Sequence, residues 1–156
     1  MNEIYLYDRK INKDTDYNVW MAFPECEAFA LASLGYMWLF KNLDENENIN
    51  VERICTDTKS TKIKSQDVDA ICFSFSFDMD FVNIFKILEK NKMPLKSKDR
   101  EDFPLVFAGG PVVTANPVPY KDFFDFFIIG DGDISNSEVL EVARICKIQG
   151  KTKEET

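Results

Sequence analysis

The stretch that most constrains this chain is residues 103–133, FPLVFAGGPVVTANPVPYKDFFDFFIIGDGD. It holds two short apolar runs, residues 105–108 and residues 126–129. Each run stops at glycine: Gly109-Gly110-Pro111 follows the first, and Gly130-Asp131-Gly132-Asp133 follows the second. Strands buried on both faces of a parallel sheet read as continuous apolar runs rather than alternating ones. Glycine just past the carboxyl end of such a strand lets the chain turn tightly. It also lets a ligand or a second backbone come close. Two such units in succession predict an open α/β sheet whose working edge carries both loops.

The remaining segments supply further strands and the helices to cover them. NVWMAF, residues 18–23, reads as the first strand and stops at Pro24, which cannot donate to a sheet ladder. Residues 25–43 read as one helix, with Ala28, Leu31, Ala32, Leu34, Gly35, Trp38 and Leu39 at recurring spacings of three and four. Gly35 is expected to let this helix lie close on the sheet. Residues 51–55 form a short strand, and the lysine-rich residues 56–66 a surface excursion. VDAICFSFSF, residues 68–77, is the strongest strand. Alternation puts Ala70, Cys72, Ser74 and Ser76 on one face and Ile71, Phe73, Phe75 and Phe77 on the other.

Residues 78–91 read as a helix with Asp78 as its N-cap and Phe81, Ile84, Phe85 and Leu88 as its apolar stripe. After the strand at 105–108 come a loop and a helical turn near Pro119, then the strand at 126–129 and a final helix over 136–148, ended by Gly150. Residues 4–7 would add an edge strand or a lead-in arm within residues 1–16. Residues 17–150 would be the domain, and residues 151–156 the start of a linker. Right-handed crossovers of these lengths predict a flavodoxin-like three-layer α/β sandwich with a five-stranded parallel sheet in the order 2-1-3-4-5.

Composition narrows the function. One domain of 156 residues, 45% hydrophobic with 14 Phe, has ample material for a core. A net charge of −8 without basic stripes argues against nucleic acid as a partner. No apolar run approaches the roughly 18 residues needed to span a bilayer. MNEIYLYDRK lacks the pattern of a secretory signal, so the cytoplasm is the simplest location. Histidine is absent, which removes imidazole acid–base chemistry and imidazole metal ligands. Cys26, Cys55, Cys72 and Cys146 show no metal-site spacing and are expected to be reduced and structural.

The ordered set Phe23-Pro24, Leu34-Gly35, Ser74-Phe75-Ser76-Phe77, Ala108-Gly109-Gly110-Pro111, Asn116-Pro117 and Gly130-Asp131-Gly132-Asp133 resembles the N-terminal region of radical S-adenosylmethionine proteins. The likeness covers about residues 18–145. It implies a cobalamin-binding-like domain preceding a catalytic barrel that would be this chain's partner in the same polypeptide. The iron–sulfur cluster and S-adenosylmethionine would belong to that barrel, because the CxxxCxxC motif that holds the cluster is absent here.

Many cobalamin domains also carry DxHxxG after the first strand, where this chain reads Pro24-Glu25-Cys26-Glu27. Cobalamin could thus be held only without a histidine ligand. The cofactor-binding candidates are Ser74, Ser76, Gly109, Gly110, Pro111, Gly130 and Gly132.

Each candidate has an alternative reading. The serines also suit close helix packing, and the Gly-Gly-Pro a structural turn. The GDGD loop lacks the further oxygen ligands of a calcium site. Phe23, Phe75 and Phe77, near strand ends at the working edge, are expected in the core by default, with an apolar contact to a corrin ring or a partner domain as the alternative. The charged runs 96–102 and 151–155 are expected in solvent. Two functions remain open: a module that positions cobalamin, or a cofactor-free scaffold that docks on the barrel. No catalytic residue is assigned to this chain itself.

Overall fold

The structure, a computed structural model, describes Tyr7, Thr15 and residues 17–156 other than Phe103. The expected N-terminal arm therefore lies almost wholly outside the described residues. Five parallel strands form one sheet: β1 (Asn18–Phe23), β2 (Asn50–Cys55), β3 (Ala70–Ser74), β4 (Leu105–Gly109) and β5 (Phe126–Ile128). Their order is β2-β1-β3-β4-β5, so the chain reverses its direction of travel across the sheet between β1 and β3.

Helices α1 (Glu27–Ala32), α2 (Leu34–Glu45), α3 (Phe81–Lys90), α4 (Pro111–Ala115) and α5 (Ser135–Ile148) complete the fold. One core layer joins Val19, Met21, Cys72 and Phe107 to Tyr36 and Phe40 of α2 and Leu140 and Ala143 of α5. The other joins Trp20, Ile71, Phe73 and Val106 to Ile84 and Leu88 of α3 and Val112 and Val113 of α4. Alternation along each strand thus feeds two apolar layers, which is the flavodoxin-like three-layer arrangement.

Several local expectations need correction. The helix expected over 25–43 is broken at Ser33, whose ψ of 103° is extended. Tyr36, Phe40 and Leu43 face the core, while Leu34 and Trp38 are exposed. Tyr36 fixes this choice by donating its hydroxyl to the Met21 carbonyl at 2.9 Å. Gly35 consequently faces away from the sheet, with no atom within 4 Å of an added Cβ.

Strand β3 ends at Ser74, so Ser76 and Phe77 lie in the following loop, and Phe77 is 68% exposed rather than in the core. Phe23 and Phe75 are buried as expected. Asp78 caps no helix. Its carboxylate instead accepts the Tyr120 hydroxyl at 2.8 Å. Helix α4 was not foreseen between the glycine pair and Asn116-Pro117. Proline at its first position begins it, since that N–H needs no helical partner.

The two charged runs are not wholly solvated either. Arg100 and Lys153 are buried together against Asp125, which accepts from Lys153 Nζ at 2.9 Å.

Candidate functional site

Parallel register lines up the strand ends. Ser74 lies opposite Gly109, and Gly109 opposite Ile128. The tips of β3, β4 and β5 and the first turn of α5 then enclose a cleft of about 100 Å³. Its walls include Ser74, Gly109, Gly110, Gly130 and Gly132, with Met21, Leu39, Cys72 and Ile128 as the apolar part. Five of the seven predicted residues are thus brought together. Ser76 lies past the strand end, and Pro111 opens α4, so neither lines the cleft.

The glycines have separable roles. Gly110 has φ of +117°, and a Cβ there would sit 2.7 Å from the Phe75 carbonyl oxygen. Glycine is therefore required at this position by backbone packing alone. Gly130 also has positive φ, +90°, and its N–H donates to Thr114 Oγ1 at 3.0 Å. Gly109 and Gly132 have no such constraint. A Cβ on either would make only ordinary contacts, with Ile128 at 3.7 Å and with Leu39 at 3.8 Å respectively.

Sequence reasoning missed Asn136. It is 5% exposed, lines the cleft, and its side-chain Oδ1 has no hydrogen-bond partner. A buried acceptor left without a donor typically costs about 1–3 kcal/mol. The signal was present: Asn136, Leu140 and Ala143 share the buried i, i+4, i+7 stripe of α5, so a polar residue stands on an apolar face. Burial pushes the neighbouring Cys72 thiol up to about 12, partly offset by hydrogen bonds from its own main chain and from the Asn136 side chain.

The surrounding rim is apolar and acidic. Phe77, Met79, Val118, Ile129 and Ile134 are exposed on the segments that follow β3, β4 and β5. Tyr120 packs edge-on against Phe75 at 4.9 Å and, through its bond to Asp78, holds the Val118 segment at this edge. At the β1–β3 boundary, Glu25 accepts from Asn83 Nδ2 at 3.0 Å. Burial, with the Glu25 carboxylate nearby, holds the Asp80 carboxyl above its usual range.

A larger cavity, about 730 Å³, lies at the opposite end of the sheet. Leu105, Phe126, Val142 and Lys153 line it. Ligands of open α/β sheets bind beyond the carboxyl ends of the strands, so volume alone does not make this the site.

The chain matches the family described as radical SAM proteins, N-terminal, over residues 35–156. It belongs to that family. No curated protein matches it. The sequence resemblance and the family assignment thus agree on an accessory domain of a radical SAM protein.

Cobalamin is the cofactor the resemblance implies, and the residues of this radical SAM N-terminal domain fit it poorly. Pockets for organic ligands usually enclose about 300–1,000 Å³, against about 100 Å³ here. The loop after β1 presents Glu25 and Cys26 where an imidazole would stand, and Glu25 is already engaged by Asn83 and by the Cys26 N–H. Among the described residues, no group of three or more Cys, Asp or Glu is placed to hold a metal ion. No helix among them is long and apolar enough to cross a membrane.

Proposed function

We propose that this domain is a cofactor-free docking module that covers the radical SAM catalytic domain of its polypeptide with the carboxyl-end rim of its sheet. One observation carries this reading. Large apolar side chains, Phe77 and Met79 foremost, stand exposed on loops at the edge where α/β domains do their work. The family assignment supplies the occupant, because a radical SAM N-terminal domain is attached to a radical SAM catalytic domain. The small cleft and the loop without imidazole support the cofactor-free form of the reading.

Hydrogen exchange tests it, comparing the 156-residue chain with the full radical SAM polypeptide. Amides of residues 75–80 and 129–136 should exchange more slowly in the full polypeptide, and the double variant Phe77→Ser, Met79→Ser should abolish the difference. Equal exchange in both forms would overturn the docking role. The strand-tip residues that do gather in one cleft favour the other reading, a module that holds cobalamin. Added cobalamin would then shift its absorption spectrum and raise the melting temperature. Neither change is expected.

A further inference from the structure

We infer that the cleft between the β3–β5 tips and α5 is a socket for one neutral, hydrogen-bond-donating side chain of the docked catalytic domain. This rests on the docking role proposed above. Three observations carry it, beginning with Asn136. Its Oδ1 is buried in the cleft wall with no donor, and that side chain is 95% removed from solvent by its 5% exposure. The polar atom is set for a group the domain does not itself supply.

Size is the second observation. About 100 Å³ admits a side-chain tip, roughly the space of three water molecules at about 30 Å³ each. The third is lining chemistry. Met21, Leu39, Cys72, Phe73 and Ile128 line the cleft together with Asn136 and Ser74, and no charged residue does. A buried ammonium or guanidinium with one neutral acceptor would be left poorly solvated. A hydroxyl or amide gives Oδ1 its donor and fills the apolar remainder with carbon.

The glycines make the socket testable without straining the backbone. Gly132 has ordinary φ, and its Cβ position has room, so Gly132→Val fills the cleft. Asn136→Leu removes the orphan acceptor, keeps the branched shape with bulkier methyl groups, and gives up the amide's bond to Cys72. Each variant is made in the 156-residue chain and in the full radical SAM polypeptide, beside Phe77→Ser.

Asn136→Leu is expected to raise the melting temperature of the 156-residue chain. In the full polypeptide it should lower exchange protection of residues 129–136 by about tenfold, the worth of one hydrogen bond. Gly132→Val should lower protection similarly. If Phe77→Ser removes protection while both cleft variants leave it unchanged, the socket is refuted and docking stands. Should Phe77→Ser also leave protection unchanged, docking fails first. A fall in melting temperature for Asn136→Leu would show that the amide's bonds, that to Cys72 included, outweigh the cost of the orphan acceptor, and would overturn the inference.

Discussion

Replacing Asp125 with asparagine should greatly weaken this domain. The Asp125 side chain is 9% exposed and faces the Arg100 guanidinium at 3.6 Å and the Lys153 ammonium at 2.9 Å. It also accepts the Val106 N–H at 2.6 Å and the Ser97 hydroxyl. Asparagine has nearly the same size but turns one of the two acceptor oxygens into an amide donor, so the substitution removes the charge and one acceptor position together.

Two buried cations would then lose their strongest counter-ion, keeping only the weaker attraction of Asp99 for Arg100 and of Asp102 for Lys153. Arg100 keeps the carbonyls of Pro94, Leu95 and Phe123, and Lys153 keeps that of Arg100. Those dipoles replace only part of a full charge. Burial already pulls the pKa of both cations down, and Asp125 opposes that pull.

Removing one partner of a buried ion pair costs about 3–5 kcal/mol. A typical domain has only about 5–15 kcal/mol in all. With a urea slope of about 1–3 kcal/mol/M, the midpoint should fall by roughly 2 M. Urea titration followed by circular dichroism measures this for Asp125→Asn, Lys153→Met and the double variant. Lys153→Met alone leaves Asp125 with Arg100, Ser97 and Val106, so it should be close to neutral. The pair should couple by about 1–3 kcal/mol. A loss below about 1 kcal/mol for Asp125→Asn is the range of solvent-exposed pairs and would refute the reasoning.

Two glycines should respond with opposite signs. Gly110→Ala meets both the +117° φ and the 2.7 Å approach to Phe75, and should lose about 2 kcal/mol or more. Gly35→Ala lies in an exposed helix with open space around it, and should gain about 0.5–1 kcal/mol. Thermal unfolding reads both, and equal signs would contradict the backbone argument. Alkaline pH should also destabilise the fold. The Cys72 thiol is raised by burial from 9.0 to about 12, so the folded state keeps a proton that the unfolded state releases. Its stability contribution is complete below pH 9 and falls as pH rises toward 12, by at most about 4 kcal/mol. Cys55, also raised to about 12 by burial, acts in the same direction. Denaturation at about pH 8 and about pH 11 checks this, and Cys72→Ala should flatten the profile.

The sheet is legible in the sequence because its runs end in chemistry that stops strands: Pro24 after β1, the glycine pair after β4, Gly130 after β5. The helix faces are less legible. Helix α2 offers apolar residues on two sides, Tyr36, Phe40 and Leu43 on one and Leu34 and Trp38 on another. Periodicity alone cannot choose between them, and the tyrosine bond to Met21 that decides it is tertiary.

Arg100 and Lys153 sit in runs that look solvated, yet distant Asp125 gathers both. Ser76 continues an alternating pattern past the end of the ladder. The β4 strand stops at Gly109, opposite Ser74, so the pattern outlasts its pairing partner. The strand-tip glycines were readable. The buried asparagine needed the α5 stripe to be counted back one turn from Leu140.

The rim and the cleft argue for a partner from opposite directions. Phe77 and Met79, 68% and 83% exposed, could be polar with little loss of packing. Asn136 keeps a buried acceptor without a partner in the isolated fold. Each choice lowers the stability or solubility of this domain alone, and such departures from local consistency concentrate where function compensates them. The apolar set also extends beyond the β3–β5 tips. Phe29 within α1 and Leu34 at the start of α2, on the segment that follows β1, are exposed as well. A stable interface buries about 1,200–2,000 Å² in total, more than a single loop can provide. Apolar residues on the segments following β1, β3, β4 and β5 spread the proposed contact over several loops, with the orphan acceptor recessed among them.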